Sequence, residues 1–85
     1  MKLWIRLMTD NRLKKDKVVF VNNITSLSDL EKAMRDICHD MDIPTPIILN
    51  SHFRNFINFH NAKFKQDDFV ESLDYDMLIV EDCKE

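Results

Sequence analysis

The chain has 85 residues, of which 45% are hydrophobic and 32% charged, and its formal net charge is −3. This size and balance predict one globular domain, 1–85, rather than two lobes or a disordered tail. The longest wholly apolar runs have four residues, far short of the roughly 20 that span a bilayer, so a membrane partner is excluded. Charges interrupt the first apolar section too early for a secretory signal, and we expect a cytoplasmic protein. Glycine is absent, which excludes glycine-rich phosphate loops.

The first twenty-one residues predict a β-hairpin. In residues 2–8, apolar side chains alternate with others at the period of two that a strand requires. The apolar face consists of Leu3, Ile5 and Leu7. The opposite face consists of Lys2, Trp4, Arg6 and Met8. Asp and Asn in residues 9–12 favour a turn, and the run "VVFV" at 18–21 predicts the second strand after a lysine-rich approach.

The next segment, residues 27–41, has helical spacing. Its apolar stripe consists of Leu27, Leu30, Met34, Ile37 and Met41. Ser26 is placed to cap the first free amides, and Ser28 with Glu31 has the spacing of a capping box. Pro44 excludes the preceding residue from the helical region, so the helix should end before it.

The second half of the chain predicts shorter elements. Residues 47–49, "IIL", predict a short third strand, and Ser51 is placed to cap a second helix. The apolar face of that helix should consist of Phe53, Phe56, Ile57 and His60. Residues 63–74 have the composition of a loop with turns, and residues 75–80, "YDMLIV", predict the last strand.

This order of elements resembles the β-grasp fold, of which ubiquitin is the familiar member. The segments that carry the resemblance are "MKLWIRL", "DIPTPIIL" and "DDFVESLDYDMLIVED". It implies an α+β fold of the ubiquitin-like β-grasp type, ββαβ(α)β, with a mixed four-stranded sheet packed on one main helix. A right-handed crossover would make the first and last strands parallel neighbours. The basic first twenty residues and the acidic last twenty would then lie side by side.

Departures from the family restrict what the resemblance implies about function. Ubiquitin-like modifiers act through a terminal Gly-Gly, whereas this chain ends "EDCKE", so we do not expect conjugation chemistry. Ferredoxins of the β-grasp class use four cysteines and this chain has two, so no cluster or other cofactor is expected. Binding through the open face of the sheet remains. The segments "MKLWIRLM", "DIPTPI" and "KFKQDDF" also resemble a group of short bacterial proteins, a resemblance that carries no site residues.

One stretch, "DICHDMDIPTP", concentrates Cys, His and Asp as a metal or catalytic site would. On a helix, however, Cys38 lies at the margin of the apolar stripe and His39 points to the opposite side, so the two cannot share a ligand. An exposed helix end is favoured over a cation site formed by the acidic residues of 36–42. We predict no metal site, no catalytic residue and no enzymatic activity.

The other histidines and the thiols have structural interpretations too. His52 and His60 are two turns apart, too far for chelation from one helix face, and are expected to be structural. Cys38 and Cys83 are expected to be free thiols, because two cysteines this far apart form no disulfide framework.

Two binding hypotheses follow from the hairpin. In the first, Trp4, Arg6 and Met8 form a contact surface for another protein, since an exposed Trp beside an Arg is typical of an interface hot spot. The alternative is that Trp4 is covered by residues 52–64 or by a second copy of the chain. In the second hypothesis, a basic edge grips nucleic acid with Trp4 as a stacking surface. That edge consists of Arg12, Lys14, Lys15 and Lys17. The acidic net charge disfavours it, and lysines also guard strand edges against aggregation.

Overall fold

The structure, a computed structural model, describes residues 1–83 as an α+β domain with four strands and two helices. The strands are β1 (Lys2–Thr9), β2 (Arg12–Phe20), β3 (Asn61–Lys65) and β4 (Met77–Asp82). The helices are α1 (Leu27–Asp40) and α2 (Asn50–Phe59), and a single 3-10 turn lies at Gln66–Asp68. None of the helices in residues 1–83 has both the length and the apolar character that a bilayer crossing requires.

The sheet is antiparallel throughout, with the strand order β2-β1-β4-β3. The prediction that the first and last strands are neighbours is confirmed, but the predicted mixed sheet with a parallel central pair is wrong. That prediction assumed one crossover through a single helix. Since α2 and the turn after β3 add further chain reversals, β4 enters from the opposite end, and β3 is the strand that runs in the same direction as β1.

The hairpin between β1 and β2 confirms the predicted turn. Asp10 and Asn11 have φ angles of 53° and 61°, and a two-residue hairpin loop with both central residues at positive φ is the type I′ turn. Asp and Asn supply that conformation in a chain without glycine because they tolerate it better than other residues. β2 begins six residues before the predicted 18–21, because lysines are tolerated on an edge strand whose outer side faces water.

The start of α1 is confirmed at Ser26, whose hydroxyl accepts the Asp29 backbone N–H at 3.1 Å. The predicted capping box of Ser28 and Glu31 is wrong, because both lie within the helix. The reciprocal contact runs instead from Thr25, whose N–H and hydroxyl both donate to the Asp29 carboxylate at 3.0 Å. These hydrogen bonds, first of all the backbone one, lower the pKa of Asp29.

The third strand lies in a different segment from the predicted one. Residues 47–49 form no strand, and the backbone N–H of Ile47 donates only to the carbonyl of Asp68 at 2.7 Å. The strand is Asn61–Lys65, within a region predicted mostly as loop, where Ala62 and Phe64 are buried between exposed lysines. This alternation, not the apolar run, was the correct strand signal.

The core lies on one side of the sheet, between the strands and both helices. The buried β1 side chains Leu3, Ile5 and Leu7 share one cluster with residues of α1 and with Phe56 of α2. Loop side chains such as Phe69 and Leu73 join the same cluster. Because both helices lie on this side, the other face of the sheet is left without a helix in the part of the chain that the structure describes.

Candidate functional site

The open face is the side of the sheet that points away from the helices. Its side chains lie in three rows across the four strands, defined by the antiparallel register, with the pair Lys2 and Phe20 at one end. The first row is Val18, Trp4, Glu81 and Asn61. The second row is Asp16, Arg6, Ile79 and Lys63. The third row is Leu13, Met8, Met77 and Lys65. The structure therefore brings Trp4, Arg6 and Met8 together on this face.

Trp4 is half-buried and held by two neighbours. Its indole Nε1 donates to the Asp16 carboxylate at 2.9 Å, and the guanidinium carbon of Arg6 lies 4.2 Å from the ring centroid. That distance is within the range of a cation–π interaction. The proposed cover, residues 52–64, instead forms α2 and β3, which lies two strands away from β1. Trp4 is therefore held in position by its neighbours in the sheet, Asp16 and Arg6.

Arg6 links the two central strands on the open face. Its guanidinium pairs with the Glu81 carboxylate at 3.0 Å, which brings the basic and acidic ends of the chain together as predicted. Both side chains are partly exposed, so the pair itself contributes about 1 kcal/mol or less. Ile79 points away from the core yet is only 8% exposed, because side chains of the adjacent strands lie over it. The centre of this face therefore has one covered apolar side chain, Ile79, next to the Arg6–Glu81 ion pair.

The β2 end of the open face carries exposed apolar groups. Val18, beside Trp4, is 45% exposed, and Phe20, beside Lys2, is 74% exposed. The sequence predicts a strand at both positions but not their place on this face. Their place depends on the register, because pairing of position 18 with position 4 puts 18 and 20 on the face of Trp4, whereas a one-residue slip would put them on the core side.

The four basic residues of the nucleic-acid hypothesis are exposed on β2, but they do not form one patch on the open face. Lys15 and Lys17 pair with core-facing residues of β1, so they lie on the helix side of the strand. Lys14 is an extra residue at a bulge, where the partner of β1 changes from Lys15 to Leu13. Lys17 pairs with Asp40 of α1. The hydrogen bond from Lys17, together with the positive charge of Lys17, lowers the pKa of the Asp40 carboxyl. Arg12 lies at the turn.

The "DICHDMDIPTP" stretch is a helix end, as the sequence indicated. Cys38 is fully buried and His39 is exposed, so the two side chains point apart. Burial raises the pKa of the Cys38 thiol to about 11, which suppresses the reactive thiolate. Cys83 is half-exposed, and both cysteines are free thiols. Within residues 1–83, no group of three or more His, Cys, Asp or Glu side chains could hold a metal ion.

His52 is buried and structural, as predicted. Its Nδ1 accepts the backbone N–H of Leu49 at 2.9 Å, and its ring centroid lies 4.5 Å from that of Phe64. Its Nε2 is 3.5 Å from the Asp68 carboxylate. The predicted cap at Ser51 is wrong, because Leu49 is the N-cap residue and His52 supplies the side-chain acceptor.

The rest of α2 departs from the predicted face. Phe56 is buried and Phe53 partly buried as expected, but Ile57 is 46% exposed because His52 takes its place toward the core. His60 is half-buried and ends the helix at φ 62°. Neither helix adds a side chain to the open face, so its composition comes from the four strands alone.

No protein family, curated protein or solved structure matches this chain.

Proposed function

We propose that this chain is a non-enzymatic interaction module that binds another protein through the open face. The observation that carries the proposal is the state of Trp4. It lies partly exposed on the helix-free side of the sheet, fixed by Arg6 and Asp16, and next to the exposed side chains of Val18 and Phe20.

The fixed geometry of Trp4 favours binding. A free surface tryptophan loses side-chain entropy when a partner immobilises it, whereas this ring already has its hydrogen bond and its cation–π contact. Trp, Arg and Met are also enriched in the buried centres of interfaces. Because Glu81 already pairs with Arg6, a partner covering this face need not supply a counter-charge of its own.

The resemblance to ubiquitin-like proteins is a second support for a binding role. It now consists of the hairpin, the long helix after it and the adjacency of the first and last strands. The resemblance is one of architecture, and it is incomplete because the central strand pair is antiparallel here. The two free thiols support a reducing compartment, the cytoplasm.

We expect Trp4→Ala to abolish partner binding while the domain stays folded. Loss of a central aromatic anchor costs about 2 kcal/mol or more of binding energy, a weakening of about 30-fold. The cost in stability should stay within about 1–2 kcal/mol, since Trp4 lies outside the core cluster. Capture from the native cell with immobilised protein, followed by thermal unfolding of each variant, measures both effects.

Ile57→Ala is the matched control, because Ile57 is an exposed apolar residue on α2, away from the open face. It should retain every protein that the wild type captures. Equal capture by the Trp4 variant, or a collapse of its thermal stability, would contradict the proposal. A mass that rises with concentration in sedimentation equilibrium, and falls in the Trp4 variant, would identify a second copy of the chain as the partner.

The alternative function is nucleic-acid binding through the basic residues of β2. Against it, Arg6 occupies one face of the Trp4 ring, where a base would have to stack, and Lys17 is already paired with Asp40. We therefore expect no binding of a random single-stranded oligonucleotide at low salt, measured by fluorescence anisotropy. Binding that disappears in the double variant Lys14→Glu, Lys15→Glu would favour this alternative instead.

A further inference from the structure

The outer edge of β2 has free backbone groups at known positions. Met1 and Val21 exchange two backbone hydrogen bonds, of 2.8 and 2.9 Å, so they form a hydrogen-bonded antiparallel pair. In an antiparallel ladder such hydrogen-bonded pairs recur at every second residue, so the backbone groups of residues 15, 17 and 19 also bond to β1. The backbone N–H and C=O groups of Asp16, Val18 and Phe20 therefore point outward, away from the sheet. No other strand in residues 1–83 pairs with this edge.

The two halves of this edge differ in chemistry. Arg12, Lys14 and Lys15 occupy its first half, and lysines there deter uncontrolled strand pairing. Val18 and Phe20 form the second half, where both the side chains and the outward backbone groups are exposed without a guarding charge. An edge strand left open over this length is a surface that natural proteins usually protect.

A shallow groove runs beside the second half, between β2 and α1. Its lining combines the apolar side chains of Val19, Val21, Ala33 and Ile37 with the charged side chains of Asp29, Lys32, Asp36 and Asp40. An added strand alternates its side chains between two faces. One set would lie beside Val18 and Phe20 on the open face, and the other set would lie over the groove.

We infer that the outer edge of β2 accepts an extended segment of another protein as a fifth, antiparallel strand. The segment is apolar where it lies beside Val18 and Phe20, and acidic where it lies beside Arg12, Lys14 and Lys15. Backbone hydrogen bonds supply affinity in this mode of recognition, and alternate side chains supply specificity.

Charge complementarity selects this occupant over two others. Antiparallel pairing of β2 with a second copy places the basic half of each strand against the apolar half of the other, so neither half meets its complement. Nucleic acid would contact the basic side chains but has no reason to bond the outward amides of Val18 and Phe20. The edge shares Val18 and Phe20 with the open face but does not include Trp4. Because the test below follows the outward amides of β2, it and the Trp4→Ala experiment can fail independently.

The test uses a capped nine-residue peptide with alternating Val and Thr in its amino-terminal half and Glu in its carboxyl-terminal half. Amide hydrogen exchange of the full chain is followed by NMR with and without the peptide. At saturation we expect exchange at Asp16, Val18 and Phe20 to slow by about tenfold or more. The amides at positions 15, 17 and 19 already bond to β1 and should change little.

Two further peptides separate strand addition from charge attraction. The same sequence with N-methyl groups at alternate backbone nitrogens keeps its charge but loses its donors, and it should not protect the three amides. Exchanging its Glu residues for Lys should weaken binding by about tenfold or more. The inference would be overturned if the N-methylated peptide bound as tightly as the parent peptide. It would also be overturned if the parent peptide did not change the exchange rates of the three amides.

Variants of the protein provide an independent control. Val18→Pro removes one outward N–H without removing a hydrogen bond to β1, and edge strands tolerate proline at such positions. It should abolish peptide binding, whereas Val18→Thr, which keeps the N–H, should bind within about threefold of the wild type. Peptide binding by Val18→Pro with unchanged affinity would also overturn the inference. If β2 amides are already protected in the free protein at high concentration, a second copy occupies the edge and the proposed partner is wrong.

Discussion

Phe64→Ala should lower the free energy of unfolding by about 3–5 kcal/mol, most of the stability of a domain this small. Phe64 is fully buried, pairs with Leu78 across the β3–β4 ladder, and lies against the ring of His52. Removing its ring leaves a cavity between the sheet and α2 that surrounding side chains fill only in part. Urea unfolding followed by circular dichroism measures the change.

Phe20→Ala is the matched control, because it removes the same ring from an exposed position of β2. We expect its stability to stay within about 0.5 kcal/mol of the wild type. Similar losses for the two variants would mean that Phe64 lies in a loop, as the sequence alone suggested, and that β3 is misplaced.

The second large effect concerns thiol reactivity. We expect the buried Cys38 to react with a disulfide reagent at pH 8 about 100-fold more slowly than in the unfolded chain. The pKa of its thiol rises from 9.0 to about 11, which lowers the thiolate fraction by two factors of ten, and steric exclusion slows the reaction further. Absorbance of the released thiol, with and without denaturant, gives both rates.

Cys83 serves as the internal reference, since its thiol is half-exposed. One equivalent of thiol should react quickly in the folded protein and the second only on unfolding. The variant Cys83→Ala should therefore show no fast phase. Two equally fast equivalents in the native protein would contradict the burial of Cys38.

Two kinds of element were predictable from the sequence. They are the strands whose side chains alternate between water and the core, and the helix whose apolar side chains recur at helical spacing toward the core. The alternation of Leu3, Ile5 and Leu7 and the stripe of α1 each have a single periodicity, so strand and helix follow directly. The third strand differs from the prediction because the apolar run at 47–49 is the stronger hydrophobic signal, whereas the alternation at 61–65 is short. The apolar content of a segment indicates that it is buried, whereas the spacing of its apolar residues indicates whether it is a strand or a helix.

Strand direction and the details of the open face were not available from the sequence. Local patterns do not state whether β4 enters from one end of the sheet or the other, since that depends on every intervening reversal. The placement of Trp4, Arg6 and Met8 away from the core followed from alternation alone. The contact of Trp4 with Asp16 did not, because it depends on the register between β1 and β2.

The central position of β1 and β4 has a consequence for how the domain is made. Leu3 pairs with Asp82, so the middle of the sheet joins residues from nearly opposite ends of the chain. Closing such a long loop is entropically costly and slows folding. During synthesis, the hairpin and α1 emerge long before β4, with the apolar side of β1 only half-covered. Until β4 is synthesised, the nascent chain is therefore prone to aggregation. At this stage the lysines of β2 matter most, because they deter pairing of the exposed strand edge with other chains.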